Sequence, residues 1–192
     1  IISPAAHGVP GRAFHIGEIN MILVVDIGNT TVSFGGVTVS PRGEYLVAFT
    51  TKLDTDQNWD PADYTVALFK KLRALGREQE HFTGIVISSV VPKVLDTVGE
   101  SMLSAFGLEP LVVTCESNLG ISVEVPEPHK VGRDRLVDAA WAAAHYPLPL
   151  VTVDLGTATT FNVVKEEGVF CGGVIAAGME TGLKALGTHT AQ

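Results

Sequence analysis

The chain has 192 residues, of which 46% are hydrophobic and 20 are glycine, so it can form one large domain or two small ones with many tight turns. Its net charge of −8 argues against nucleic acid or an anionic membrane surface as a partner. No stretch approaches the ~20 apolar residues that a membrane-spanning helix requires. Cys115 and Cys171 lack metal-ligand spacing, and we interpret them as reduced structural thiols of a cytoplasmic protein.

Residues 1–20 carry two prolines and three glycines without hydrophobic periodicity. They also lack the basic start and apolar centre of a signal peptide. We therefore expect a disordered or non-native extension here, and we expect the fold to begin at Met21.

The first half of the chain is predicted to have the order βββαβαβ. Alternating apolar runs predict an antiparallel meander of three strands, and a later β-branched run predicts a buried parallel strand. A helix should begin at Pro61 and end at Gly76, with an apolar face that includes Val66, Leu68 and Leu72. The predicted strands span 21–28, 31–38, 44–51, 84–92 and 110–114, and the helices span 61–75 and 92–105.

Residues 115–132 are predicted to be irregular because Pro126 and Pro128 disfavour regular structure. A helix then follows from Arg133 to about residue 146, with Leu136, Val137 and Trp141 at helical spacing. Lys130, Arg133 and Arg135 form the densest basic cluster of an acidic chain. The cluster is compatible with an anion site, but also with an ordinary helix start and surface arginines.

The second half repeats the opening meander, with strands predicted at 149–156, 159–165 and 169–176 and a helix from Met179 to about Leu186. The repeat is visible in the sequence itself, since residues 24–34 read VVDIGNTTVSF and residues 152–162 read TVDLGTATTFN. Aligned without a gap, Asp26, Gly28 and Thr31 fall on Asp154, Gly156 and Thr159. Each copy predicts a strand, a tight glycine turn and a returning strand.

Such turns leave backbone N–H groups uncovered beside hydroxyls and one carboxylate. N–H groups and hydroxyls suit phosphate oxygens, and the carboxylate suits the metal that accompanies them. The repeat therefore predicts two related halves whose turns face one nucleotide.

Four motifs in order closely resemble type III pantothenate kinases, which belong to the acetate kinase, sugar kinase, Hsp70 and actin superfamily. They are DIGNT at 26–30, GRDR at 132–135, DLGTATT at 154–160 and GGVIAAG at 172–178. The resemblance implies an α/β fold of duplicated ribonuclease H-like (actin-like ATPase) halves, each a mixed sheet with an antiparallel meander. Residues 21–148 would form the first half, and residues 149–192 would form the start of an incomplete second half.

The resemblance also implies ATP-dependent phosphorylation of pantothenate, the first step of coenzyme A biosynthesis. Asp134 matches the family's proton acceptor, and Asp154 matches a ligand of potassium or ammonium, while Asp26 would help to hold Mg²⁺. Substrate binding would fall to Gly132, Arg133, Asp134 and Arg135. Nucleotide binding would fall to Asp26, Ile27, Gly28, Asn29, Thr30, Thr31, Val32, Ser33 and Thr157.

The family further implies a cytoplasmic homodimer that binds pantothenate and ATP, but no nucleic acid and no membrane. The sequence departs from it in Ala177, where a proline is usual, and family members continue well beyond residue 192. Two other functions stay open: a non-catalytic regulator resembling a transcription accessory factor, and a kinase for another small molecule.

Overall fold

The computed structural model describes residues 21–40 and 43–189. The extension predicted at 1–20 lies outside the described residues. The predicted order of elements is confirmed from Met21 onward except within 115–132, which was predicted to be irregular but contains a short strand at Ser122–Val123 and one 3-10 turn at Pro128–Lys130.

Among the described residues, five strands form the first sheet in the order β3-β2-β1-β4-β5. The first three strands make the predicted antiparallel meander, and β4 and β5 extend it in parallel. The helices α1 and α2 cover one face of this sheet, where the side chains of Leu23, Val25 and Ile27 are buried. The bounds are β1 Met21–Ile27, β2 Thr31–Val39, β3 Tyr45–Asp54, α1 Pro61–Ala74, β4 Phe82–Ser89, α2 Pro92–Phe106 and β5 Leu111–Val112.

The second sheet contains four strands of the described chain in the order β6-β9-β8-β7. Its meander of β7, β8 and β9 is antiparallel, and β6 pairs with β9 in parallel, so both sheets are mixed as predicted. The bounds are β6 Ser122–Val123, α3 Arg133–His145, β7 Leu150–Leu155, β8 Ala158–Val164, β9 Val169–Ala177 and α4 Met179–His189.

Helix α1 shows how local sequence sets the first core. Asp60 and Asp63 form a reciprocal capping box, with hydrogen bonds of 2.9 and 3.1 Å between each side chain and the other residue's N–H. Tyr64, Leu68 and Leu72 then recur at four-residue spacing and are buried. Val66 was predicted on this face but is 52% exposed, because two residues of helix rotate it by about 200° from Tyr64.

The segment between the sheets contributes to the core of the second half and also contacts the first sheet. Leu136 and Ala139 of α3 share a buried cluster with Val164 and Phe170. Strand β6 also lies in the second sheet. The division at residue 148 that the family resemblance implies stays a prediction, because this segment contacts both sheets. Of the three apolar residues at helical spacing on α3, Leu136 is buried, while Val137 and Trp141 are 36% and 56% exposed.

The two turns of the repeat differ in length by one residue. Ile27 pairs with Val32 across the first turn, while Leu155 pairs with Thr159 across the second. The structural equivalent of Thr159 is therefore Val32 and not Thr31, as the ungapped alignment has it. Among the described residues, no helix combines the length and the apolar character needed to cross a bilayer.

Candidate active site

A cleft of about 790 Å³ lies on the face of the first sheet that α1 and α2 leave open. Residues of β7, β8 and α3 form its opposite wall. This volume is typical of small-molecule sites. Half of the residues that the sequence predicts for the site line it, namely Asp26, Gly28, Asn29, Ser33, Asp134, Asp154 and Thr157.

The two glycine turns touch at the end of this cleft. The hydroxyls of Thr30 and Thr157, 127 residues apart in sequence, are 3.2 Å from each other. Equivalent bonds close the turns, from the Gly28 N–H to the Thr31 carbonyl at 2.9 Å and from the Gly156 N–H to the Ala158 carbonyl at 3.0 Å. The repeat thus brings its two copies together at one place, as the sequence predicts.

Neighbouring elements fix the position of each turn. The Thr55 hydroxyl, after the end of β3, donates to the Gly28 carbonyl at 2.8 Å. The Gly178 N–H and the Thr181 hydroxyl both donate to the Thr157 carbonyl at 3.1 Å. A Cβ at Gly178 would lie within 2.5 Å of the Thr157 carbonyl oxygen, so a side chain there would displace the turn.

The turns also present unused backbone donors. Within the described chain, the N–H groups of Asn29, Thr30 and Thr157 make no hydrogen bond. The side chains of Ile27 and Val32 are fully buried in the first core, so those two predicted residues can contribute only main-chain atoms to the cleft. The resulting group of free N–H donors beside hydroxyls suits an anion such as a phosphate.

Asp134 lies in the first turn of α3, which begins after Gly132. Its Oδ1 accepts the Arg135 N–H at 2.8 Å. A Cβ at Gly132 would overlap this carboxylate oxygen, so the glycine makes room for the aspartate. The carboxylate is half-buried and lines the cleft.

The predicted basic cluster does not form one open site. Lys130 pairs with Glu127 at 2.7 Å on the surface. The guanidinium of Arg133 donates to the Ser89 carbonyl at 3.1 Å, at the end of β4. Arg135 donates through Nε to Oδ1 of the fully buried Asn162 at 2.6 Å, and Nη2 lies 3.5 Å from the Phe161 carbonyl. The two arginines therefore attach α3 to both sheets.

Residues 22–192 match the sequence profile of the family described as type III pantothenate kinase. The chain belongs to this family. The resemblance carried by the four motifs is confirmed.

Two relatives illustrate the extent of the similarity. A type III pantothenate kinase of Bifidobacterium animalis subsp. lactis is 34% identical over 172 residues, which are 90% of this chain and 66% of that protein. One of Caulobacter vibrioides is 35% identical over 166 residues, or 86% of this chain and 62% of that protein. The chain thus spans slightly less than two thirds of the length of these relatives.

The fold class is supported by a solved structure of low sequence similarity. A crystal structure of the Aquifex aeolicus Ppx/GppA phosphatase, type II variant, superposes with a TM-score of 0.51 at 12% identity. The match covers 91% of this chain and 57% of that chain. This likeness concerns the fold alone, and it agrees with the two mixed sheets predicted from the family resemblance.

The electrostatics of this family member's cleft are dominated by carboxylates. Partial burial raises the pKa of Asp26, and the negative charges of Asp134 and Asp154 raise it further. The nearby Ser88 hydroxyl acts against this and lowers the pKa, although the two groups do not reach hydrogen-bond geometry. Because the neighbouring charges disfavour the ionised form of Asp26, a bound cation would stabilise that form.

Sequence reasoning missed Asp138, which also lines the cleft. Burial raises its pKa to about 6, and the charges of Asp154, Asp134 and Asp26 contribute in that order. The available signal was its position, because Asp138 follows Asp134 by four residues and so lies one turn further along the same helix face.

The oxygen groups of the cleft fit Mg²⁺ or a monovalent cation. The hydroxyls of Ser88 and Thr160 are buried, and neither has a hydrogen-bond partner within the described chain. In that part of the chain, no three His, Cys, Asp or Glu side chains lie close enough together to hold a metal ion by themselves. Mg²⁺ in such sites is usually held by one or two carboxylates together with phosphate and water, so the donors present are compatible with it.

The two cysteines do not line the cleft. Cys115 and Cys171 are free thiols of intermediate burial, and the Cys171 thiol donates to the Val163 carbonyl at 3.6 Å.

Proposed function

We propose that the protein transfers the γ-phosphoryl group of ATP to the terminal hydroxyl of pantothenate and so begins coenzyme A biosynthesis. One observation carries this proposal beyond family membership. The two glycine turns of a type III pantothenate kinase sequence are in contact across a cleft that also contains Asp134. Phosphoryl transfer depends mainly on positioning and charge stabilisation, and this arrangement supports both.

The turns would bind the nucleotide phosphates. The free N–H groups of Asn29, Thr30 and Thr157 are donors for phosphate oxygens, and the Thr30 and Thr157 hydroxyls lie beside them. Gly28, Thr31 and Ser33 complete the predicted phosphate loop. When bound at Asp26, Mg²⁺ would neutralise negative charge on the phosphates.

Asp134 would accept the proton of the pantothenate hydroxyl. Its Oδ1 is held by the Arg135 N–H, and no hydrogen bond to another described residue occupies Oδ2. The carboxylate is therefore oriented by the helix start with one oxygen available. A general base needs to be within about 2.6–3.2 Å of the proton-bearing oxygen, and a fixed orientation favours this.

Gly132, Arg133 and Arg135 would position pantothenate. The Arg135 guanidinium donates through Nε to Asn162 and through Nη2 to the Phe161 carbonyl, so Nη1 and the second hydrogen of Nη2 would have to bind the pantothenate carboxylate. Arg133 contacts a main-chain carbonyl and would act chiefly by fixing α3.

Asp154 would hold potassium or ammonium, which its exposed carboxylate in the cleft supports. The acidic net charge supports a protein without nucleic acid or membrane partners. We expect a cytoplasmic homodimer.

The test is ADP release by the complete gene product, coupled to a spectrophotometric assay. ADP release should require pantothenate and should increase with potassium or ammonium but little with sodium. Pantothenate-independent nucleotide turnover, or turnover with another small alcohol alone, would contradict the assignment of the substrate. An absence of turnover with retained ATP binding would favour the regulatory alternative.

A further inference from the structure

We propose that Lys52 is a further nucleotide-binding residue, whose ammonium group donates to the terminal phosphoryl group of ATP. The proposal rests on the proposed function for the identity of this ligand. Lys52 belongs to none of the four motifs, and it lies on β3, outside the predicted phosphate loop.

The register of the first sheet aligns Lys52 with the phosphate loop. Lys52 of β3 is directly opposite Ser33 of β2, and Ser33 is directly opposite Asp26 of β1. Ser88 of β4 continues this row on the other side of Asp26. Side chains that are opposite one another lie on the same face of a sheet, and all four line the cleft. They form one polar row across the open face of the first sheet.

The end of β3 is attached to the first glycine turn. Thr55, three residues after Lys52, donates through its N–H to the Thr30 carbonyl at 3.0 Å and through its hydroxyl to the Gly28 carbonyl at 2.8 Å. Neighbouring strands are about 4.7–4.9 Å apart, so the backbones of Lys52 and Asp26 are separated by about 10 Å. A phosphoryl group bound below the turn, over the strand between them, would therefore lie beside the Lys52 side chain.

Lys52 is also the cation of an otherwise acidic cleft. Four carboxylates line it, from Asp26, Asp134, Asp138 and Asp154, and Lys52 is the one basic side chain that the described part of the chain contributes to the lining. Its side chain is exposed, and it forms no ion pair with another described residue. The carboxylates repel a phosphoryl group, so an ammonium that is not already paired lowers the cost of binding one there.

Two anionic groups of the proposed substrates are candidates for this contact, the terminal phosphoryl group and the pantothenate carboxylate. The attachment of β3 to the first glycine turn favours the phosphoryl group. Arg135, the proposed partner of the carboxylate, is instead attached to Asn162 of the second sheet, on the opposite wall.

The test is calorimetric titration of the complete gene product, in buffer with Mg²⁺, with ADP and with AMPPNP, an ATP analogue whose terminal phosphoryl group is not transferred. Lys52→Met keeps the length of the side chain and removes its charge. Because hydrogen bonds to charged groups typically change affinity by about 10–100-fold, Lys52→Met should weaken AMPPNP binding by at least about tenfold. The affinity for ADP should change much less, and Lys52→Arg should retain most of the affinity for AMPPNP.

Lys71→Met is the matched control, because Lys71 is an exposed lysine on α1 outside the cleft. It should bind both nucleotides as the wild type does, and thermal unfolding shows that each variant is folded. Equal losses of ADP and AMPPNP affinity in Lys52→Met, an unchanged AMPPNP affinity, or an absence of AMPPNP binding by the folded wild type would overturn the inference.

Titration with pantothenate alone separates the two anionic groups. Weakened pantothenate binding in Lys52→Met, with AMPPNP binding retained, would assign Lys52 to the carboxylate and overturn the inference. AMPPNP binding that depends on Lys52, without pantothenate-dependent ADP release, would leave it standing and contradict the proposed function instead.

Discussion

Asp134 is held at the start of α3 with one carboxylate oxygen bonded to the Arg135 N–H. Asp134→Asn keeps the shape of the side chain but cannot accept a proton. We expect turnover to fall by ~10²–10⁴-fold while ATP binding is retained. Steady-state rates and nucleotide titration of the complete gene product measure the two effects, and a loss of less than about tenfold would remove Asp134 from the role of base.

Arg135 combines a predicted substrate contact with an internal one. Arg135→Lys removes the forked donor group, so we expect a raised KM for pantothenate. It also leaves the buried Asn162 carbonyl without its Nε partner, which typically costs about 1–3 kcal/mol of stability. Kinetics and thermal unfolding separate these effects. A lowered Tm with an unchanged KM would make Arg135 purely structural.

Asp138 should make stability depend on pH. Its pKa is raised from 3.8 to about 6 in the folded chain, so the folded state favours the protonated form. The corresponding stabilisation is complete below about pH 4 and is lost as the pH rises through 6. In buffer without divalent cations, Asp138→Asn should therefore raise Tm at pH 7.5 and have little effect at pH 4. An equal shift at both pH values would show that the gain is not electrostatic.

At the scale of elements, the second turn depends on the segment that follows β9. Gly178→Ala would bring a methyl group against the carbonyl oxygens of Gly156 and Thr157. We expect the turn to move and nucleotide affinity to fall together with Tm. Gly99→Ala in α2 is the matched control, since its Cβ meets no atom within 4 Å and should stabilise the helix by about 0.5–1 kcal/mol. Equal nucleotide affinity in both variants would show that the turn tolerates the displacement.

The elements themselves were largely predictable, because strands and helices follow from apolar periodicity that the sequence displays. The direction in which individual side chains point within these elements was less predictable. Val66, Val137 and Trp141 are apolar but exposed, and periodicity alone does not show which side of a helix meets the core. The length of the second turn depends on strand register, which the ungapped repeat concealed.

Some residues of the candidate site were predictable from sequence motifs, and others depend on tertiary packing. The motifs located Asp26, Asp134 and Asp154, and the structure places all three on one cleft. Asp138 belongs to no motif; its spacing places it on the same helix face as Asp134, but its proximity to Asp26 and Asp154 depends on how α3 packs between the sheets. The arginine cluster was visible in the sequence, but its separate partners at Ser89 and Asn162 depend on tertiary contacts.

At the scale of the molecule, the second sheet presents an apolar row to solvent. Val153, Phe161 and Val174 are cross-strand neighbours, and they are 51%, 37% and 61% exposed. Large exposed apolar patches promote association, so we expect residues 21–192 to self-associate in solution. Val153→Lys and Val174→Lys should each reduce the apparent mass in light scattering.

Val66→Lys on α1 adds the same charge at a side chain that is 52% exposed but lies on the first half. It should leave the association unchanged. A monodisperse monomer before any substitution, or an equal effect of all three lysines, would show that the row is not the associating surface.

The two arginines of α3 have a mechanical consequence for opening and closing of the cleft. Arg133 attaches the helix to the first sheet through one hydrogen bond of 3.1 Å, while Arg135 and the buried leucine at 136 attach it to the second. A hinge motion between the sheets would strain this Arg133 bond together with the contact between Thr30 and Thr157. Asp134, the proposed proton acceptor, would then move with the second sheet, and its distance from the glycine turn that follows β1 would change.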